Sequence, residues 1–163
     1  MNAHRTVQGQ SLIEFALVFP LLIFVVLALF DIGRGVFYFS TLNTAVREAT
    51  RDAIVMKYST ANEATLKDAI KGRVLNYLFG VSELTDYYSN CTDPLSTSCT
   101  ITVNYINIVT PTDPEAIFDP KVQVIATYPF ETITPFISFF TGHDGKIPIE
   151  VQSTMLLAPV AKP

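Results

Sequence analysis

The chain has 163 residues and a formal net charge of −4, so it lacks the basic surface by which proteins bind nucleic acid. Charged residues make up only 16% of it, below the ~25% usual in soluble domains. Its length fits one modest domain and an anchor. Residues 15–30 contain no charged side chain, which places the apolar excess near the N-terminus and predicts a membrane segment there.

The apolar segment runs from Gln10 to Phe30. As a helix it would be about 31 Å long at ~1.5 Å per residue, which matches a hydrocarbon core of ~30 Å. A cleaved secretory signal would end at a small-residue site, and none follows Ala28. A plain signal anchor accounts for the apolar residues. It leaves Glu14 unexplained unless that carboxylate lies at the headgroup boundary, because an acidic side chain within a membrane costs ~2.5–3.5 kcal/mol.

Gly9 and Glu14 together favour a third interpretation. A polar leader ends at Gly9, and Glu14 is the fifth residue after it. This arrangement resembles the prepilin peptidase site of type IV pilins and pseudopilins, whose leader is cut after Gly on the cytoplasmic side. The resemblance implies cleavage between Gly9 and Gln10, which leaves a free α-amine on Gln10. Glu14 can pair with such an amine as subunits assemble in lipid, because a buried charge is tolerated when it is partnered.

The stretch from Gly9 to Ala53 resembles the N-terminal region of TadE-like proteins, the minor pseudopilins of the Tad (Flp-type, type IVb) pilus system. The resembling elements are Gly9-Gln10-Ser11, Glu14-Phe15-Ala16, Pro20, Asp31-Ile32-Gly33-Arg34 and Ala45-Val46-Arg47-Glu48-Ala49. The resemblance implies a non-enzymatic role in pilus assembly, with Glu14 and Phe15 guiding subunit assembly. It also implies partners: prepilin peptidase, other Tad pilins and pseudopilins, inner-membrane pilus assembly proteins and membrane lipid. The chain departs from the family in lacking an Arg–Glu ending after its last strand.

The predicted organisation has four parts along the chain. Residues 1–9 form a cleaved cytoplasmic leader, 10–30 a transmembrane helix, 31–58 an amphipathic helical stalk, and 59–163 an extracytoplasmic α+β pilin-like domain. Arg5 precedes the span, whereas Asp31 and Arg34 offset each other after it. This asymmetry favours a cytoplasmic N-terminus. The prediction is therefore a single-pass inner-membrane protein, whose incorporation into a pilus stays open.

Helical spacing continues beyond the span to about residue 56. Its apolar face consists of Leu42, Ala45, Val46, Ala49, Ala53 and Met56. This face either docks on neighbouring subunits or packs on the chain's own domain. A second helix is predicted from a capping box of Thr60 and Glu63 to Leu78, with Gly80 as the stop. Its inward residues are predicted to be Leu66, Ala69, Ile70, Val74, Tyr77 and Leu78.

Three later segments alternate apolar and polar residues with the period of a strand. They are Thr100–Val109, Lys121–Phe130 and Ile147–Leu157. Helices followed by strands predict an α+β fold: a long hydrophobic helix continuing into an amphipathic one, a second helix, and an antiparallel sheet of about three to four strands. The linker Thr132–Phe140 is very apolar, and it is either a core-filling turn or an exposed contact surface.

Cys91 and Cys99 either close a small loop by a disulfide in an oxidising compartment or remain two free thiols. No zinc pattern or neighbouring His accompanies them. The sequence contains no Gly-rich phosphate loop, no H-E-x-x-H and no nucleophile elbow, so no catalytic residue, cofactor or metal is predicted. His143-Asp144 is interpreted as part of a turn.

Two rival functions remain open. A type II secretion pseudopilin usually has Phe at the first mature position, where this chain has Gln10. A bitopic membrane protein with an outer ligand- or protein-binding domain would need no cleavage after Gly9 and should tolerate Glu14→Ala.

Overall fold

The structure, a computed structural model, describes residues 7–56, 58, 61–90, 101–106, 120–134 and 146–157. Its helices are α1 (Val7–Val55), α2 (Glu63–Tyr77) and α3 (Ser82–Ser89), and its strands are β1 (Ile101–Ile106), β2 (Lys121–Glu131) and β3 (Lys146–Leu156). The described strands form an antiparallel sheet in the order β1-β2-β3. The predicted α+β fold is confirmed.

α1 joins the predicted hydrophobic and amphipathic helices into one continuous helix of 49 residues. At ~1.5 Å per residue it is roughly 74 Å long. Pro20 lies inside it, which helices within membranes tolerate. Gly33 and Gly35 also lie within the helix and do not interrupt it. The apolar segment is thus connected to the next part of the chain by helix rather than by a loop.

The chain divides into two compact units, one of Met1–Val36 with Phe130–Ile147 and the other of Phe37–Pro129 with Pro148–Pro163. The second unit contains the larger core. α1 supplies to it Leu42, Ala45, Val46, Ala49 and Ala53, each at most 1% exposed. Among the described residues of this unit, the other fully buried apolar ones are Ile70, Val74, Leu78, Leu84, Val122, Val124 and Ala126. The apolar face of α1 therefore packs on the chain's own domain, one of the two interpretations of its periodicity.

The sheet follows the predicted alternation most clearly in β2. Every second residue from Val122 to Phe130 is buried, and the residues between them are half-exposed. β1 pairs with β2 in antiparallel register, from Ile101 opposite Ala126 to Ile106 opposite Lys121. Period-two burial is expected where one face of a strand covers a core.

α2 differs from the prediction in which residues it buries. Ile70, Val74 and Leu78 are fully buried and lie at intervals of four, whereas Ala69 is exposed and Tyr77 is 43% exposed. The predicted inward positions of Ala69 and Tyr77 were wrong, because the buried line runs along one narrow row of the helix. The Tyr77 hydroxyl instead donates a hydrogen bond to Asp52 (3.1 Å).

The start of α2 also differs from the predicted capping box. Asn62 occupies the N-cap position and Glu63 is the first helical residue, while Thr60 lies outside the described residues. Glu63 accepts hydrogen bonds from Lys67 (2.6 Å) and from the Tyr58 hydroxyl (3.0 Å). The ammonium group of Lys67, followed by the Tyr58 hydroxyl, holds the pKa of Glu63 below its ordinary value.

The sequence did not predict α3, because the stretch after Gly80 has no long helical pattern. Gly80 does end the preceding helical region, and its φ of +106° is a conformation that glycine adopts without strain. The available signal for α3 was Leu84 and Tyr88, which are four residues apart and both buried. The Tyr88 hydroxyl donates a hydrogen bond to the carbonyl oxygen of Thr127 (2.9 Å), and its burial raises the pKa of Tyr88.

Candidate membrane and assembly site

The first part of α1 exposes apolar side chains on all sides. Every large apolar residue from Leu12 to Val26 is 41–76% exposed. Within the described part of the chain, α1 is the one helix long and apolar enough to cross a membrane. A helix that is apolar all round needs either a protein core or lipid around it, and no described part of the chain covers this segment. These features fit a single-pass membrane protein.

Gly9, Gln10, Glu14 and Phe15 lie together near the start of α1. The side-chain amide of Gln10 donates to Oε1 of Glu14, one helical turn away, at 3.4 Å. Phe15 is 65% exposed and its ring stacks on that of Phe19, with centroids 5.4 Å apart. A Cβ added at Gly9 would meet no atom within 4 Å. The fold of this chain therefore does not itself require glycine at that position.

Asp31 directly follows the predicted span and is only 2% exposed. Its Oδ1 accepts a hydrogen bond from the main-chain N–H of Ile133 (3.0 Å). Its Oδ2 accepts two more from Thr134, one from the main-chain N–H (2.8 Å) and one from the hydroxyl (2.5 Å). Hydrogen bonds to an ionised carboxylate are about twice as strong as neutral ones. Asp31 therefore fixes the chain that leaves β2 to the helix at the end of the span.

Arg34 strengthens the same contact from the next turn of α1. Its Nη1 lies 3.7 Å from Oδ1 of Asp31, and its guanidinium lies over the ring of Phe130, 5.3 Å from the centroid. A cation over an aromatic ring contributes ~0.5–2 kcal/mol. A Cβ added at Gly35 would be 3.7 Å from the same ring, so this turn lies close against the end of β2.

Sequence reasoning named Asp31 and Arg34 as part of a resemblance but assigned them no contact. Two opposite charges three residues apart, directly after an uncharged span, were a signal that they pair. Nothing in the sequence pointed to Thr134 as a partner. Of the linker Thr132–Phe140, only residues 132–134 are described: Ile133 is 61% exposed and Thr134 is 1% exposed.

Several predicted features lie outside the described residues. These are the Cys91–Cys99 pair and the His143-Asp144 turn. Among the residues that are described, no three His, Cys, Asp or Glu side chains gather as metal ligands do. The cleavage and subunit-assembly roles of residues 9, 10, 14 and 15 stay predictions.

The model of the TadE-like protein family matches residues 9–51. Over this region, 43 of the 163 residues, the chain is similar to TadE-like proteins. The TadE-like region includes Gly9, Glu14, Asp31 and Arg34, so the resemblance read from the sequence is confirmed there. TadE-like proteins are structural components of Tad pili rather than enzymes. No curated protein and no solved structure matches the chain.

Proposed function

We propose that this protein is a minor pseudopilin-like structural component in the assembly of a Tad (type IVb) pilus and that prepilin peptidase cleaves it after Gly9. The observation that carries the proposal is the TadE-like match, which begins at Gly9 on a helix whose following residues are apolar and exposed. The protein is held in the inner membrane by residues 10–30. Its other partners are Tad pilins, pseudopilins and inner-membrane assembly proteins.

The fold gives no reason for a glycine at position 9. The space around Gly9 is open, so a larger side chain there would not disturb this chain. A requirement for glycine would come from an enzyme that must reach the peptide bond. The new N-terminus on Gln10 would carry a positive charge at neutral pH, since an α-amino group has a pKa near ~8.

Glu14 supplies the matching negative charge. It lies in an exposed, apolar part of α1, where its described contact is the neutral amide of Gln10 at 3.4 Å. An amide does not neutralise a carboxylate, and an acidic side chain in lipid costs ~2.5–3.5 kcal/mol. The α-amine of a neighbouring subunit removes much of this cost, so Glu14 favours docking of cleaved chains over uncleaved ones.

The outer domain follows the C-terminal end of the span. Asp31, the first residue after the span, binds residues 133 and 134. The chain leaving β2 therefore lies at the C-terminal end of the span. With the leader in the cytoplasm, the domain lies outside it.

The first test is the intact mass and N-terminal sequence of the protein from native membranes. The wild type should begin at Gln10, and Gly9→Leu should retain the leader. Gly33→Leu is the matched control, because Gly33 lies in the same helix and has equally open surroundings. It should be cleaved normally. A wild-type chain that begins at Met1 in cells with an active peptidase would contradict the proposal and favour a bitopic binding protein.

A second test separates cleavage from assembly. Glu14→Gln should be cleaved after Gly9 but should reduce pilus formation, because its side chain no longer attracts an α-amine. Glu48→Gln makes the same change outside the predicted span and should leave pili unaffected. Normal piliation in Glu14→Gln would mean that Glu14 does not guide docking.

A further inference from the structure

The end of β2 runs along α1 toward the predicted membrane span. Phe130 lies against Arg34 and Gly35, and the next described contacts join Ile133 and Thr134 to Asp31. As the chain continues from Phe130 to Thr134, its contacts on α1 move from residues 34 and 35 back to residue 31. Since the span ends at residue 30, the chain approaches the membrane as it leaves the sheet.

The rise per residue of α1 gives the depth of residues 130–134 relative to the membrane. The headgroup region adds roughly 5–8 Å to each side of the hydrocarbon core, or about four to five helical residues at ~1.5 Å each. Asp31 and Arg34 both fall within that layer if the hydrocarbon ends near Phe30. Ile133 donates its N–H to Asp31 and therefore lies in the same layer.

The chemistry of the segment suits this layer. Ile133 is 61% exposed, and beside its contact on α1 the side chains of Phe30 and Ile32 are 65% and 60% exposed. The chain neighbours of Ile133, Thr132 and Thr134, carry no charge either. Lys146, which pairs with Glu131 at 2.7 Å, opens β3 at the same end of the sheet. An exposed isoleucine beside a solvated ion pair fits the boundary between lipid tails and headgroups.

We infer that the chain at the end of β2, with the side chain of Ile133, is a second lipid contact of this protein and rests in the membrane interface. The inference depends on the proposed placement of residues 10–30 in the membrane. Lipid is the occupant because the N–H of Ile133 is bonded to Asp31, the residue directly after the span, which puts its exposed side chain at the level of the same bilayer. The contact adds a second point of attachment to the membrane beside the span.

The chain has no tryptophan, so a single introduced one reports its own surroundings. Three full-length variants, Ile133→Trp, Phe24→Trp and Leu156→Trp, are each reconstituted in phosphatidylcholine vesicles. The vesicles are prepared with and without bromine on the acyl chains. Phe24 is the reference inside the span. Leu156 is 58% exposed and lies at the other end of β3 from Lys146, roughly 33 Å away along the strand.

Brominated lipid should strongly quench the tryptophan fluorescence of Ile133→Trp and of Phe24→Trp, while Leu156→Trp should respond only to a quencher dissolved in water. If brominated lipid quenches Phe24→Trp but not Ile133→Trp, the lipid contact is overturned and the proposed membrane anchor stays intact. Protection of Ile133→Trp from both quenchers would also overturn it, in favour of a protein contact. Quenching of neither variant by lipid would remove the membrane placement itself. The side chain of Ile133 is largely exposed, so its replacement leaves the hydrogen bonds of Asp31 in place.

Discussion

The carboxylate of Asp31 accepts two hydrogen bonds from Thr134, a residue 103 positions further along the chain. A third, from the N–H of Ile133, uses the remaining oxygen. The side chain therefore does for the end of β2 what a capping residue does for a helix: it pairs main-chain N–H groups beyond the last residue of the strand. An acidic residue directly after a membrane span thus has a structural role that its position in the sequence does not reveal.

Replacing Asp31 by Asn should loosen this attachment. The amide keeps the size of the side chain, but its nitrogen cannot accept a hydrogen bond, and leaving a buried donor unpaired costs ~1–3 kcal/mol. We expect the N–H groups of Ile133 and Thr134 to exchange with solvent about tenfold faster or more, measured by deuterium exchange and mass spectrometry. Glu48→Gln is the control, because the exposed Glu48–Arg51 pair is worth little. Unchanged exchange at Thr134 would contradict the role of Asp31.

The burial of one face of α1 can be tested by making the same Ala→Leu substitution at a buried position of α1 and at an exposed position of α2. Ala49 is 0% exposed, so Ala49→Leu should overfill the core and lower the free energy of unfolding by ~1–3 kcal/mol. Ala69→Leu makes the same change at an exposed position of α2 and should alter it by less than ~0.5 kcal/mol. Thermal unfolding of the detergent-solubilised chain compares them. Equal effects would indicate that Ala69 faces the core after all, as the sequence pattern predicts.

The Glu63–Lys67 pair predicts a pH dependence at the start of α2. Lys67 lowers the pKa of Glu63, so the pair stabilises the folded state above the unfolded-state pKa of Glu63, and this contribution is lost as the pH falls through the lowered value. A carbon-detected NMR titration of Glu63 should show its pKa rise in Lys67→Met. Lys71→Met removes the same charge one turn further along α2, and a rise of equal size there would show that the local contact is not the cause.

Glu83 should hold α3 in place. Its carboxylate accepts hydrogen bonds from the hydroxyls of Tyr38 and Tyr128, the latter at 3.2 Å. Glu83→Gln replaces one accepting oxygen by an amide nitrogen and should lower the free energy of unfolding by ~0.5–1.5 kcal/mol. Asp86→Asn is an equivalent change in the same helix at a carboxylate that accepts from neither tyrosine, and it should have little effect. In a double-mutant cycle, Glu83→Gln and Tyr128→Phe should couple by ~0.5 kcal/mol or more, and additive effects would refute the contact.

The predictable parts of this fold were those with long, regular patterns. The α1 face through Ala45 and Ala49 and the alternation of β2 both follow from spacing alone. α3 escaped prediction because its 8 residues bury only Leu84 and Tyr88, which is too short a pattern to distinguish from a loop. The attachment of Asp31 to Thr134 could not be predicted, because sequence spacing carries no information about a partner 103 residues away.

The distance in sequence between Asp31 and Thr134 also affects when their contact can form during synthesis. Translation at ~5–20 residues per second makes Asp31 roughly 5–20 s before Thr134 exists. During this interval the nascent chain has its apolar helix but none of the three donors that later bind the Asp31 carboxylate. A product that stops before β2 would remain in that unfinished state. It would keep the apolar face of α1 uncovered, and Arg34 would be the one partner left to Asp31 among those described here.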